Sequence, residues 1–228
     1  MARVFGGVLG NFKGKLGKVA ARIVSGDTIL SARPSSFKES TTAKHAEVKQ
    51  KFAVTIAFAS AISDLPTLYE IWKLKKNPGM SVINTIFKRN YDFSSVELPT
   101  LQNIITPDGF GSPVTAAAVA AGKLTSTLTA LETVAVISDN DVDLSINAVI
   151  CLSDPKTASD SSYKILPVSK EIAGFNFNQE YNLEINLNVE DTAEVAKYNQ
   201  KLVFLSVAIK SADGQISKYS RSHAIQSN

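Results

Sequence analysis

The stretch "GNFKGKLGKVAARIVSGDTILSARP", residues 10–34, contains glycines and lysines that suit either a phosphate-binding loop or a β-hairpin. A Walker-type loop requires G-x-x-x-x-G-K-[ST] between a buried strand and a helix. Here Gly10 and Gly14 are one residue too close, and Leu16 follows Lys15 where that loop needs a hydroxyl. The dinucleotide-binding pattern G-x-G-x-x-G is also absent. The stretch therefore does not predict a phosphate loop.

A β-hairpin accounts for more of the same residues. Two short apolar runs, residues 18–24 and 28–33, flank a Ser-Gly-Asp turn at residues 25–27, and Pro34 ends the second run. Glycine in a short connection between two strand-like runs is the usual signature of a hairpin. The sequence therefore predicts a hairpin near the N-terminus.

Three helices are predicted after the hairpin, over residues 42–63, 66–76 and 80–91, from apolar residues at three- and four-residue spacings. The second half of the first helix, "FAVTIAFASAI", carries no charge on any side. We expect that half to be buried all round, either in the fold or against a neighbouring subunit. Trp72 lies at helical spacing, and we expect it in the core rather than in a binding platform.

The remainder of the chain is dominated by strand patterns separated by turns. Seven strands without a disulfide predict an antiparallel sandwich of the immunoglobulin type. The segment "DTAEVAKYN" is either a short helix or a long turn. The fold class is thus α+β, with a basic hairpin-plus-helices domain over 1–98, a linker over 99–112 and a β-sandwich domain over 113–228. The predicted strands are 113–121, 123–131, 143–152, 163–167, 181–188, 201–210 and 216–221.

Charge is distributed unevenly along the chain. Residues 1–91 contain 15 Lys and Arg and 5 Asp and Glu, a net charge of +10, whereas residues 92–228 contain 9 and 16, a net charge of −7. Such a molecule is attracted to the opposite end of its own copy, and its basic half is attracted to phosphate polymers. No zinc-finger spacing, RNP-type strand or basic zipper is present, so the charge predicts non-specific nucleic-acid affinity only.

No catalytic pattern is found in the sequence. Cys151 stands alone in an apolar run, and His45 and His223 are far apart, so neither a thiolate cluster nor a histidine metal site is predicted. The run "SDNDVDLS" at residues 138–145 lacks the glycine and glutamate of a calcium loop. No serine or cysteine has a base at a recognisable spacing. We expect no enzyme activity, no cofactor, no metal and no small-molecule substrate.

Several segments of the chain together resemble a known family. The Gly-rich start "GVLGNFKGKLGKV", the strand end "ARP", the helix centre "VKQKFAVTIAF" and the late hairpin "VFLSVAIKSADGQISKYSRS" resemble a family of uncharacterised proteins, a domain of unknown function of Bacteroidetes and their phages and mobile elements. The resemblance covers most of the chain apart from about Thr100 to Asn178. It implies a helical N-terminal part and an immunoglobulin-like C-terminal part, and it implies no catalytic residues.

These features together predict a non-enzymatic structural protein that assembles into a larger particle, specifically a bacteriophage virion component of the capsid or tail. The alternative is a nucleic-acid-binding accessory protein that uses the basic half. A third hypothesis, a carbohydrate-binding sandwich, depends on aromatic residues that we expect in the core. We also expect cytoplasmic synthesis without a signal peptide, no membrane span, and a homo-oligomer as the working form. The predicted assembly or phosphate contacts are Arg3, Lys13, Lys15, Lys18, Arg22, Arg33 and Lys38.

Overall fold

The computed structural model describes residues 2–4, 13–24, 26–34, 36 and 42–227. The chain divides into two compact units. The domain limits predicted from the sequence stay a prediction. Unit 1 comprises Met1–His45 and Asn77–Gly79, and unit 2 comprises Ala46–Lys76 and Met80–Asn228.

Unit 1 contains one antiparallel sheet. Its strands are β1 (Ala2–Val4), β2 (Gly14–Leu16), β3 (Val19–Val24) and β4 (Asp27–Ala32), in the order β1-β4-β3-β2. The predicted hairpin is confirmed as β3 and β4, with Val24 paired to Asp27. Gly26 between them has φ +88°, a left-handed value that suits glycine in a tight turn. The residue pattern does not predict β1 and β2, because three-residue strands carry too little alternation to be recognised.

The three predicted helices are confirmed within a few residues of their predicted limits. Ser81 caps the third, since its side chain accepts the backbone N–H of Asn84 at 3.2 Å. The segment "DTAEVAKYN" begins within a fourth helix that is capped by Asn188. Among the described residues, no single helix is long and apolar enough to cross a bilayer, although α1 and α2, bent by 106°, reach that length and composition together. The helices are α1 (Ala43–Ser63), α2 (Pro66–Lys75), α3 (Val82–Asn90) and α4 (Val189–Ala196).

Two further antiparallel sheets make up the β-rich part of unit 2. One has the order β11-β10-β7-β8, with β12 also paired to β10, and the other has the order β5-β6-β9. The strands are β5 (Val114–Ala120), β6 (Lys123–Leu128), β7 (Asp141–Pro155), β8 (Tyr163–Ile172), β9 (Tyr181–Asn186), β10 (Tyr198–Ser211), β11 (Ile216–Tyr219) and β12 (His223–Ser227).

The five-stranded sheet is buried on both faces, which gives unit 2 three layers. Alternate residues of β7, such as Ile146 and Ile150, pack against the three-stranded sheet. The intervening Val149 and Cys151 pack against the helices instead. Burial on both faces explains why β7 and β10 read as continuous apolar runs rather than as alternating patterns. Each fully buried Ile or Leu contributes roughly 1.5–3 kcal/mol through removal of its surface from water.

The helices are fixed to the sheet by aromatic and polar contacts. The ring of Phe58 in α1 lies 5.0 Å from that of Phe204 in β10. Trp72 is fully buried, as predicted, and its indole N–H donates to the carbonyl of Ile105 at 2.8 Å. The uncharged half of α1 is only partly buried: Ile56 and Ala57 are half-buried, and Phe52 remains half exposed. Its buried residues are Val54, Thr55, Phe58, Ala59, Ala61 and Ile62.

The α+β class is therefore confirmed, with four helices and three antiparallel sheets in the described part of the chain. The two sheets of unit 2 share one core, as a sandwich does, but helices cover the outer face of the larger sheet. His223 lies in β12 and is partly buried. The sequence of β12 has too weak an apolar pattern to predict a strand. Its pairing with β10 defines the strand instead.

Candidate interaction surfaces

Three of the predicted contact residues share one face of the unit 1 sheet. The register pairs Arg3 with Ile29 and Ile29 with Arg22, which places the two arginines at equivalent positions on β1 and β3. Lys15 pairs with Ala20, two residues before Arg22 on β3. We call this side of the sheet, with Arg3, Lys15 and Arg22, the basic face.

The other predicted contacts lie around this face. Lys13 precedes β2, and Lys18 lies in the turn between β2 and β3. The backbone N–H of Arg33 donates to the carbonyl of Lys18 at 2.7 Å, which extends the ladder by one pair. All the described side chains of this set are exposed, and within the described residues none of them forms an ion pair. Lys38 lies outside the described residues.

The opposite side of the same sheet is apolar. Val19, Ala21 and Ile23 alternate with the basic positions of β3, and Leu30 pairs with Ala21. Val19 and Ile23 keep 37% and 45% of their surface exposed. We call the side with Val19, Ala21, Ile23 and Leu30 the apolar face.

Unit 1 buries little of its own surface. Among the unit 1 residues whose side chains are described, only Ala21 and Thr28 are buried. Small sheets need a covered apolar face to be stable on their own. Unit 1 also carries eight Lys and Arg against two Asp and Glu, a net charge of +6. A basic sheet with one apolar face that stays half exposed is typical of an interaction surface.

Unit 2 has a second surface of interest, at the end where β7 finishes and β10 begins. Two cavities of about 540 and 620 Å³ adjoin there and share Ser153 and Gln200. Gln226 on β12 completes a polar row, because it pairs with Leu202, two residues along β10 from Gln200. We call the two cavities together the end groove. No sequence motif marks it, because residues from α1, the 92–102 segment and four strands line it.

The wall of the end groove is a hydrogen-bonded loop, residues 92–102. Asn103 donates its side-chain N–H groups to the carbonyl of Asn90 at 3.0 Å and to the hydroxyl of Ser94 at 3.1 Å. Its side-chain oxygen accepts the N–H of Thr100 at 2.7 Å. Both asparagines are buried, and buried amides with satisfied partners fix a unique backbone path. The wall is therefore preorganised.

The acidic run at residues 138–145 forms a turn before Asp141 and then the first residues of β7. Asp141 is buried and accepts the Lys218 ammonium at 2.7 Å and the Ser138 N–H at 2.9 Å. Burial alone raises the pKa of Asp141, but these hydrogen bonds outweigh it and hold the pKa well below its usual range. Asp143 instead accepts the N–H of Gly174 at 2.9 Å. No cluster of three or more potential metal ligands is found among the described residues.

Burial and hydrogen bonding within the fold account for the shifted pKa values of four other groups, those of Cys151, His223, Tyr219 and Asp108. Burial raises the pKa of the Cys151 thiol well above its usual range. Burial also lowers the pKa of His223. The hydroxyl of Tyr219 donates to Asp108, which lowers the pKa of that carboxyl, and burial with this bond raises the pKa of Tyr219.

The aromatic cluster considered as a carbohydrate platform is mostly core. Phe175 and Phe177 are buried, with ring centroids 5.1 Å apart, and Tyr181 packs edge-on to Phe175 at 5.3 Å. Tyr163 is separate from them and lines the end groove. This cluster therefore stabilises the sandwich core.

Comparison of the chain with protein-family models, curated proteins and solved structures finds no match. The resemblance to the Bacteroidetes family stays a prediction.

Proposed function

We propose that the protein is a non-enzymatic assembly protein whose unit 1 sheet contacts neighbouring copies, and that it serves as a bacteriophage virion component. The single observation that carries this proposal is the half-covered apolar face of the sheet, with Val19 and Ile23 exposed. Covering these two side chains against a neighbour contributes about 1 kcal/mol each. The virion assignment rests on the resemblance described above.

Sedimentation velocity of the full chain tests the proposal. We expect the wild type at micromolar concentration to sediment faster than a 24.5 kDa monomer. Ile23→Asp places a charge on the apolar face and should shift the protein to monomer, because burying an unpaired carboxylate is strongly unfavourable. Val136→Asp is the matched control, since Val136 is 84% exposed in unit 2. A wild type that is monodisperse monomer at both low and high salt contradicts the proposal.

Nucleic-acid binding is the second candidate, favoured by the common face of Arg3, Lys15 and Arg22. A protein that neutralises phosphates loses affinity linearly with the logarithm of salt concentration, with a slope of roughly −0.9 per phosphate contact on duplex DNA. Filter binding of duplex DNA between low and moderate salt measures this slope. Replacing Lys13, Lys15 and Lys18 by Gln should flatten it. If the protein retains no duplex DNA on the filter in a salt-sensitive manner, this candidate function is wrong.

We further propose that the two sheets of unit 2 form an immunoglobulin-like platform for such an assembly. Their shared core, built from β5, β6 and β9 on one side and β7, β8 and β10 on the other, supports this proposal. In an immunoglobulin-type sandwich each sheet presents one face to the core. The helices on the other face of the larger sheet would then be an addition to that plan.

A further inference from the structure

The end groove combines features that fit an extended peptide. Its floor is the row of Ser153, Gln200 and Gln226, which come from three hydrogen-bonded strands. Within the part of the chain that the structure describes, the side-chain amide of Gln226 has no hydrogen-bond partner, and Gln200 has only the hydroxyl of Ser153 at 3.5 Å. A primary amide offers both donors and an acceptor, which match the alternating N–H and C=O groups of an extended backbone.

Apolar side chains project from the rigid wall beside this polar floor. Phe93 and Leu101 line the groove with 44% and 57% of their surface exposed. The wall is hydrogen-bonded at both ends, with the Thr100 hydroxyl bound to the carbonyl of Phe93 at 2.9 Å and Ser95 bound to Leu98 at 2.7 Å. The exposure is therefore built into the fold, and exposed apolar groups on a rigid wall favour a ligand that covers them.

The net negative charge of the end groove favours a cationic ligand. Its lining includes the carboxylates of Asp92, Glu97 and Asp154 and only one cation, Lys201, which gives a formal net charge of −2. Asp154 has φ +56°, which is tolerated by aspartate, and accepts the Asn199 amide at 3.1 Å. Complementary charge directs partner choice and the rate of encounter.

The chain itself contains a segment with the required properties. Residues 13–18, "KGKLGK", carry three lysines and no acidic residue. They include β2, which pairs with β3 alone and forms an edge of the unit 1 sheet among the described strands. An edge strand presents a row of unpaired N–H and C=O groups to any further partner.

We propose that the end groove of one copy binds the edge strand β2 of a second copy, with Lys13 and Lys15 facing the carboxylates of Asp92 and Glu97. This inference rests on the proposed assembly function and names the acceptor site for it. The contact is heterologous, because two different surfaces meet, and such contacts generate rings or filaments.

A charge exchange in the full chain tests the inference by sedimentation velocity. One protein carries Lys13→Glu and Lys15→Glu, and the other carries Asp92→Lys and Glu97→Lys. Each alone places like charges at both surfaces, so we expect its association constant to fall at least about tenfold. The equimolar mixture restores opposite charges at every contact and should recover wild-type assembly. Glu132→Lys with Glu180→Lys, two exposed acids that do not line the groove, is the matched control and should assemble as the wild type does.

The outcomes separate this inference from the proposed function. If the wild type assembles and both exchanged proteins assemble equally well alone, the groove is not the acceptor, while the assembly function stands. If each exchanged protein is monomeric and their mixture stays monomeric, the pairing of these two surfaces is wrong. A monomeric wild type overturns the assembly function itself. If each exchanged protein fails to assemble and their equimolar mixture assembles, the result supports the end groove as the acceptor site.

Discussion

Asn103 shows how single buried residues hold the fold around the end groove. Its side chain joins the carbonyl of Asn90, the hydroxyl of Ser94 and the N–H of Thr100. Nothing in the local sequence distinguishes it from a solvated loop asparagine, because its partners come from α3 and from the following loop. Trp72 and Cys151, by contrast, were predictable as core residues, since apolar side chains in periodic runs are buried by default.

The substitution Asn103→Ala should therefore destabilise unit 2. Four hydrogen bonds are lost and the backbone N–H of Thr100 is left without a partner among the described residues, which costs about 2 kcal/mol or more. Urea unfolding measures the change. Gln102→Ala, at the exposed neighbouring position, is the control, and its effect should stay within about 0.5 kcal/mol. An Asn103→Ala protein as stable as the control contradicts the structural role.

Asp141 provides a pH-dependent contribution to the free energy of unfolding. Its pKa is lowered in the folded protein, so its contribution is complete above the unfolded value of about 4 and is lost as pH falls through the lower folded value. Asp141→Asn should cost about 2 kcal/mol at pH 7. The difference from the wild type should shrink in urea titrations below about pH 4. A difference that is equal at pH 7 and at pH 2 argues against this ion pair with Lys218.

At the level of elements, pattern alone located most helices and strands but misjudged their limits. β7 and β10 extend beyond their predicted ends because they pair with each other there, from Asp141 with Ser211 to Pro155 with Tyr198. The strands missed by the sequence analysis, β1, β2 and β12, are short and are defined by pairing rather than by composition. Residue patterns indicate which side chains are buried, but they do not indicate which strands distant in sequence pair with one another.

The 108–110 segment is an element whose position depends on one glycine. Phe110 donates to the carbonyl of Tyr219 at 3.0 Å and accepts from Arg221 at 2.8 Å, so the backbone lies directly against the β11–β12 connection. Gly109 has φ +127°, and a Cβ there would lie 2.3 Å from the Tyr219 carbonyl oxygen. Only glycine suits this close approach.

Gly109→Ala should consequently destabilise the protein by about 3 kcal/mol, because the new methyl meets backbone rather than a flexible side chain. Gly111→Ala is the matched control, since its Cβ meets nothing within 4 Å. Thermal unfolding of both variants measures the contrast. Equal midpoints for the two variants refute the close approach of Gly109 to Tyr219.

At the scale of the whole molecule, the sequence predicted the α+β class and the unequal charge, but not the layering. The pattern of residues does not show that α1–α3 and the five-stranded sheet share one core, because these elements occupy separate stretches of sequence. The basic residues were predicted as a set, and the register brings Arg3, Lys15 and Arg22 to one face. The end groove was missed because its lining residues come together only through tertiary structure.

We propose that the chain works as an assembly of copies held through unit 1. Light scattering after size-exclusion chromatography, at micromolar concentration and in low and high salt, measures the molar mass directly. The account predicts a mass at least twice the 24.5 kDa of one chain at low salt, with a decrease at high salt as the charged contacts are screened. A mass of one chain at every concentration and in both buffers would contradict it.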